Sequence, residues 1–110
     1  MKPHKVIFID KSLEITFNNL SDKDPIKKGL IKAIKNIKEK FDVGRLITKD
    51  SRNKKKIKEI LKKYKVDNIR LYNLPSYWRV LYSITKSEDL KIIAVILDWM
   101  SHKEYDRLLK

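Results

Sequence analysis

Residues 74–109 read LPSYWRVLYSITKSEDLKIIAVILDWMSHKEYDRLL, and this stretch decides the fold. The apolar run IIAVIL at 92–97 predicts a strand that is buried on both faces. Before it, period-two alternation places Trp78 and Val80 on one face of a strand, and Arg79 on the other with Tyr77. The polar segment TKSED at 85–89 predicts a turn, so the two strands form an antiparallel hairpin. We expect Arg79 on one strand and His102 at the sheet edge, just beyond the other.

The segment before this hairpin predicts one strand and three helices. Residues 5–9 form a short apolar strand that ends at Asp10, an N-cap for a helix over 11–20. Asp24 and Pro25 predict the start of a second helix, because Pro suits the first helical turn. A third helix follows a possible cap at Ser51. The apolar stripes of the last two helices are Ile26, Leu30, Ile34, Ile37 and Phe41, and then Ile57, Ile60, Leu61 and Tyr64.

These elements predict an α+β fold in a single domain over residues 1–110. Residues 69–74 alternate as a further strand, with Arg70 and Tyr72 on one face, and Pro75 ends it. The predicted order is a strand, three helices, a three-stranded antiparallel meander and a short C-terminal tail. We expect the helices on one face of a mostly antiparallel sheet.

The composition excludes several classes of site. There is no cysteine, and the two histidines lie at opposite ends of the chain, so neither a thiol nucleophile nor a metal site is expected. Two glycines cannot form a Gly-rich phosphate loop, and we expect no cofactor. No apolar segment of about 18 residues is present, so we expect no membrane span and a cytoplasmic protein.

The net charge of +13 is concentrated in one part of the chain. Residues 26–65 hold sixteen Lys or Arg and four acidic residues, a net charge of +12. Such a concentration favours a polyanionic partner that is bound through its phosphates. A solvated surface with no partner is the alternative interpretation. The candidate phosphate-binding residues on the third helix are Lys54, Lys55, Lys56, Lys62 and Lys63.

The C-terminal half resembles a known family. LPSYWRVLYSI, an apolar strand and HKEYDRL are similar to the corresponding parts of the RelE/ParE toxins of type II toxin–antitoxin systems, and most similar to archaeal members. The resemblance covers roughly residues 66–109. It implies a RelE-like fold and a ribosome-dependent endoribonuclease that cleaves messenger RNA without a metal. It also implies a cognate acidic antitoxin as a partner, besides the ribosome and messenger RNA.

The resemblance also assigns candidate catalytic residues. Arg79 matches the arginine that stabilises the scissile phosphate, and Arg70 falls at a basic position of the preceding strand. His102 and Tyr105 match the basic residue and the tyrosine of the tail. Tyr72 stands where RelE has lysine, so the general base stays open. Lys103 and Arg107 are candidates for further phosphate contacts.

Residue chemistry agrees with such a reaction but leaves alternatives. Cleavage through the 2′-hydroxyl needs a base, cations for the phosphate and an acid for the leaving oxygen, and Arg, Lys, His and Tyr supply all three. A ParE-like toxin that binds DNA gyrase without nuclease activity is one alternative. A non-enzymatic nucleic-acid-binding protein, which needs only the Lys-rich helices, is another.

Overall fold

The computed structural model describes residues 2–47 and 54–109. The predicted cap Ser51 lies outside these residues. The strands are β1 (Lys5–Phe8), β2 (Arg45–Leu46), β3 (Arg70–Leu74), β4 (Trp78–Lys86) and β5 (Ile92–Ser101). The helices are α1 (Lys11–Asn19), α2 (Pro25–Glu39), α3 (Lys54–Tyr64) and α4 (His102–Leu109).

The strands form one mixed sheet in the order β1-β5-β4-β3-β2. Neighbouring pairs among β2, β3, β4 and β5 are antiparallel, whereas β1 lies parallel to β5. The α+β class is confirmed, but in the described part of the chain the sheet has five strands, one more than the four predicted. Strand β5 lies inside the sheet, so His102 follows an interior strand and does not stand at a sheet edge.

Helices cover both faces of the sheet, and the prediction that they lie on one face is wrong. A first core contains Leu30, Ala33 and Ile37 of α2 against Val80 and Tyr82, and α1 packs against it. A second core lies on the opposite face, where α3 and α4 pack against the strand residues Leu71, Leu81, Leu97 and Met100. The physical reason is that β5 is apolar on both faces, so each face requires a covering layer.

The N-caps predicted at Asp10 and Asp24 are confirmed. The Asp10 carboxylate accepts a hydrogen bond from the backbone N–H of Leu13 at 2.8 Å. Asp24 accepts one from Ile26 at 2.9 Å, and Pro25 follows as the first residue of α2. These carboxylates satisfy backbone donors that the first turn of a helix leaves without partners.

The predicted C-terminal tail is a helix, α4, that continues directly from β5. Ser101 and Glu104 form a reciprocal capping box, in which Glu104 N–H donates to Ser101 Oγ at 3.3 Å. The Ser101 hydroxyl and backbone N–H donate to the Glu104 carboxylate at 3.2 and 3.3 Å. This pattern is a strong start signal for a helix, so the chain leaves the sheet at Ser101 and turns at once.

Strand β5 extends four residues beyond the predicted run and contains an irregularity. Leu81 pairs with Asp98 but Tyr82 pairs with Ile96, which leaves Leu97 as an extra residue in β5. Leu97 belongs to the second core, and Asp98 lies on the same face because it pairs with Leu81. The bulge therefore shifts the alternation by one residue and keeps Trp99 against the first core and Met100 in the second.

The buried phenol of Tyr82 attaches the segment after α2 to the sheet. Its hydroxyl donates to the Phe41 carbonyl at 2.7 Å and accepts from the Gly44 N–H at 2.8 Å. A Cβ at position 44 would lie 2.6 Å from the Tyr82 ring and 2.8 Å from the Leu71 carbonyl, so only glycine fits. Strand β2 starts at the next residue, and its position depends on this contact.

We expect Tyr82→Phe to lower the free energy of unfolding by about 1–3 kcal/mol, because the Gly44 N–H and the Phe41 carbonyl lose their partner in a buried site. Urea denaturation followed by circular dichroism measures the change. Tyr77→Phe is the matched control, since Tyr77 is exposed and its hydroxyl contributes no bond to the core. Equal stability of the two variants would contradict this role of Tyr82.

Candidate nucleic-acid interface

Arg79 lies on the face of the sheet that α3 and α4 cover. It pairs with Asn73 on one side and Met100 on the other, and directly paired residues share a face. Met100 belongs to the second core. The guanidinium is half-buried and donates a weak hydrogen bond to the Trp78 carbonyl at 3.3 Å.

Helix α4 brings Tyr105 over the same face. Tyr105 and Leu108 pack against the second core, as expected for residues three apart on one side of a helix. His102, three residues before Tyr105, lies on that side of α4 too. The predicted catalytic residues Arg79, His102 and Tyr105 are therefore brought to one region by two neighbouring strands and the helix that follows them.

Arg45 joins these residues, although nothing in its sequence context distinguished it. It starts β2 and pairs with Leu71, which belongs to the second core. Its guanidinium acts on the Tyr105 phenol and lowers the pKa of that phenol. A second arginine thus approaches Tyr105 from the far side of β3.

Tyr77 and His102 meet where β4 begins and β5 ends. The last pair of the ladder is Trp78 with Ser101. Tyr77 comes just before Trp78 and His102 just after Ser101, so the two residues are neighbours at this end of the hairpin. Their ring centroids are 5.3 Å apart, with the ring planes inclined at 56°. We call Arg45, Tyr77, Arg79, His102 and Tyr105 the basic-aromatic cluster.

The backbone at Tyr77 departs from the predicted strand. Ser76 and Tyr77 have φ of 62° and 64°, in the left-handed region, and Pro75–Tyr77 form a 3-10 turn. For residues with a side chain this conformation costs roughly 1–2 kcal/mol each. Such strain persists only where the surrounding structure imposes it, and here the two flanking strands do so.

The charges around Tyr105 act on its phenol. Burial raises the pKa of Tyr105 above its ordinary value, and the cations of Arg45 and Arg79 partly offset this increase in pKa. The phenol therefore remains protonated at neutral pH and can donate a hydrogen bond. None of the salt bridges among the described residues involves Arg45 or Arg79. The phenol thus lies in the field of two cations.

Arg70 does not join the cluster. It pairs with Tyr82, so it points to the opposite face of the sheet from Arg79. Its guanidinium donates to the Gly44 carbonyl at 2.8 Å and lies 5.3 Å from the centre of the Phe41 ring. These contacts support the segment that Tyr82 also holds, which is a structural role.

The basic side chains of the third helix are spread over its surface. Lys54, Lys55, Lys62 and Lys63 are exposed, whereas Lys56 is half-buried. Lys63 lies 5.2 Å from the centre of the Tyr64 ring and acts on the nearby Asp98 carboxylate. On α4, Lys103 and Arg107 are exposed and four residues apart, on a different side from His102 and Tyr105.

Asp98 lies beside a polar recess of about 360 Å³ between α1, α3 and β5. Burial raises the pKa of this carboxyl, and the Trp99 N–H, which donates to it at 2.8 Å, lowers it in part. Tyr64 and Lys63 line the same recess. The bulge at Leu97 turns Asp98 to this face, which period-two alternation could not predict.

Comparisons with family models, with curated proteins and with solved structures found no match to this chain. Within residues 2–47 and 54–109, no group of three or more His, Asp or Glu could hold a metal ion. No helix of that part of the chain is both long and apolar enough to cross a bilayer.

The positions of Arg45 and Arg79 predict that both arginines affect the pKa of Tyr105. Arg45→Met and Arg79→Met should each raise the pKa of Tyr105 further, because each removes a cation that stabilises the phenolate. The pH dependence of the Tyr105 ¹³Cζ resonance measures this. Lys86→Met is the control: it removes a cation from the far end of β4 and should leave the pKa of Tyr105 unchanged. A Tyr105 pKa that responds to neither Arg45 nor Arg79 would refute the cluster.

Proposed function

We propose that this protein is a RelE-like toxin that cleaves messenger RNA on the ribosome, with the basic-aromatic cluster as its active site. The observation that carries the proposal is the convergence of Arg45, Arg79 and Tyr105 beside His102. These groups meet the requirements of 2′-hydroxyl attack on a phosphodiester without any metal. The similarity of residues 66–109 to RelE/ParE toxins supports the same function, and so does the net charge of +13.

Each residue has a defined role in the proposed reaction. The 2′-oxygen attacks the adjacent phosphorus, the bond to the 5′-oxygen breaks, and a 2′,3′-cyclic phosphate and a free 5′-hydroxyl form. Arg79 and Arg45 stabilise the charge on the pentacoordinate phosphate. Tyr105 enters the reaction protonated and donates its proton to the leaving 5′-oxygen. His102 removes the proton of the 2′-hydroxyl, since an imidazole nitrogen can act as a general base.

The proposed partner is an acidic antitoxin that neutralises this surface. Residues 26–65 carry a net charge of +12, and such a surface accelerates association with an acidic chain. A chain that orders only on binding can cover a large area. Co-purification of a small acidic protein that suppresses the toxicity would support this part of the proposal.

Arg79→Ala should slow single-turnover cleavage of ribosome-bound messenger RNA by about 10²-fold or more, with little loss of ribosome binding. The arginine acts mainly as charge develops in the transition state. Lys86→Ala is the control: it removes the same charge from β4, seven residues or about 23 Å away along the strand. His102→Ala should also slow cleavage, because it removes the proposed general base.

Two outcomes would favour the alternatives. Growth arrest with intact messenger RNA and altered DNA supercoiling would indicate a gyrase-binding toxin. Parental cleavage rates in both Arg79→Ala and His102→Ala would show that the cluster is not the active site. Loss of RNA binding alone in lysine variants would then favour a non-enzymatic nucleic-acid-binding protein.

A second prediction concerns the exposed lysines of α3. Replacement of Lys54, Lys55 and Lys62 by Ala should weaken ribosome binding and reduce the slope of log K against log[salt] by roughly 0.7–0.9 for each phosphate that the protein no longer neutralises. Cleavage at saturating ribosome should remain at the parental rate, because these side chains lie outside the cluster. Association measured across a series of salt concentrations tests this, and an unchanged slope would exclude α3 from the interface.

A further inference from the structure

Tyr77 is an aromatic side chain that does not contribute to either core. It is 70% exposed, whereas the next residue, Trp78, packs against the first core. Large aromatic rings are usually well buried, because burial of their surface is among the strongest stabilising contributions a side chain makes. Folding therefore gains little from Tyr77, although its backbone is held in the unfavourable left-handed region.

The Tyr77 ring is placed next to His102. The ring centroids are 5.3 Å apart, and 70% of the Tyr77 side chain remains exposed to solvent. Arg79 is two residues further along the chain, within about 7 Å along the backbone. An anionic backbone bound by Arg79 therefore passes close to a positioned and accessible aromatic ring.

We propose that Tyr77 is a stacking platform for an unpaired base of single-stranded RNA, next to the phosphate that Arg79 binds. This inference rests on the proposed function, since it takes RNA as the ligand of the cluster. Bases of every kind stack on aromatic rings, and such stacking does not require a paired strand. Tyr77 thus selects single-stranded RNA with a base that can turn outward, while the arginines bind the sugar–phosphate chain.

Binding without cleavage tests the platform. The probe is a fluorescently labelled 2′-O-methyl oligoadenylate of eight nucleotides, which lacks the attacking hydroxyl, and its partner is an abasic oligomer of equal length and charge. Anisotropy at low salt gives both dissociation constants. The parental protein should bind the base-bearing oligomer about tenfold more tightly than the abasic one. Tyr77→Ala should lose this preference and keep its affinity for the abasic oligomer.

Tyr77→Phe is the matched variant, because it keeps the ring and removes only the hydroxyl, and it should keep the preference. Since Tyr77 is exposed, both variants should retain the parental circular dichroism spectrum and unfolding midpoint. The inference is overturned if Tyr77→Ala retains the preference, or if the parental protein shows none. A parental protein without any base preference would instead indicate that Tyr77 binds a protein partner.

The binding test and the cleavage test fail separately. Loss of the base preference in Tyr77→Ala with no cleavage of ribosome-bound messenger RNA would support the platform and reject the nuclease. Cleavage that depends on Arg79 and His102, in a protein whose base preference does not depend on Tyr77, would support the nuclease and reject the platform.

Discussion

The antiparallel pairing of β4 with β5 determines where the groups of the cluster stand. Because Trp78 pairs with Ser101, Tyr77 and His102 leave the sheet side by side. Because Arg79 pairs with Met100, it faces the core that α4 covers. A shift of one residue in this register would turn Arg79 to the opposite face, where α1 and α2 pack. The pairing of β4 with β5 therefore determines the geometry of the cluster as much as the side chains do.

The remaining members of the cluster depend on packing that is less local. Tyr105 is positioned by α4, which the capping box at Ser101 starts without an intervening loop. Arg45 depends on the segment after α2, and the buried Tyr82 phenol attaches that segment to the sheet. Arg70 supports it from the first face. Arg70, a candidate catalytic residue in the sequence, therefore helps to position Arg45, which was not a candidate.

Much of the fold could be predicted because its patterns are local. Alternation in 78–84 assigned both faces of β4 correctly, and the two aspartate caps marked the starts of α1 and α2. Alternation shows which residues of one strand share a face, but it does not give the register between strands. Arg70 and Arg79 could therefore not be assigned to opposite faces from the sequence. Strand β2 has only two residues, which are too few to show the alternation from which a strand is predicted. Ser101 and Glu104 have the spacing of a capping box, which marks the start of a helix. The segment 102–109 was nevertheless predicted as a tail, because it has only eight residues.

The extra residue at Leu97 also divides the ladder into two stretches with different mechanical behaviour. Residues 92–96 pair with β4 on the side of the turn, and 98–101 pair with it on the side of the cluster. A bulge interrupts the regular series of hydrogen bonds, so fraying that starts at the turn meets a natural stop there. Amide protons around Met100 should consequently exchange with solvent more slowly than those near Ile92. The bulge therefore lies between the cluster and the turn at the opposite end of the same hairpin.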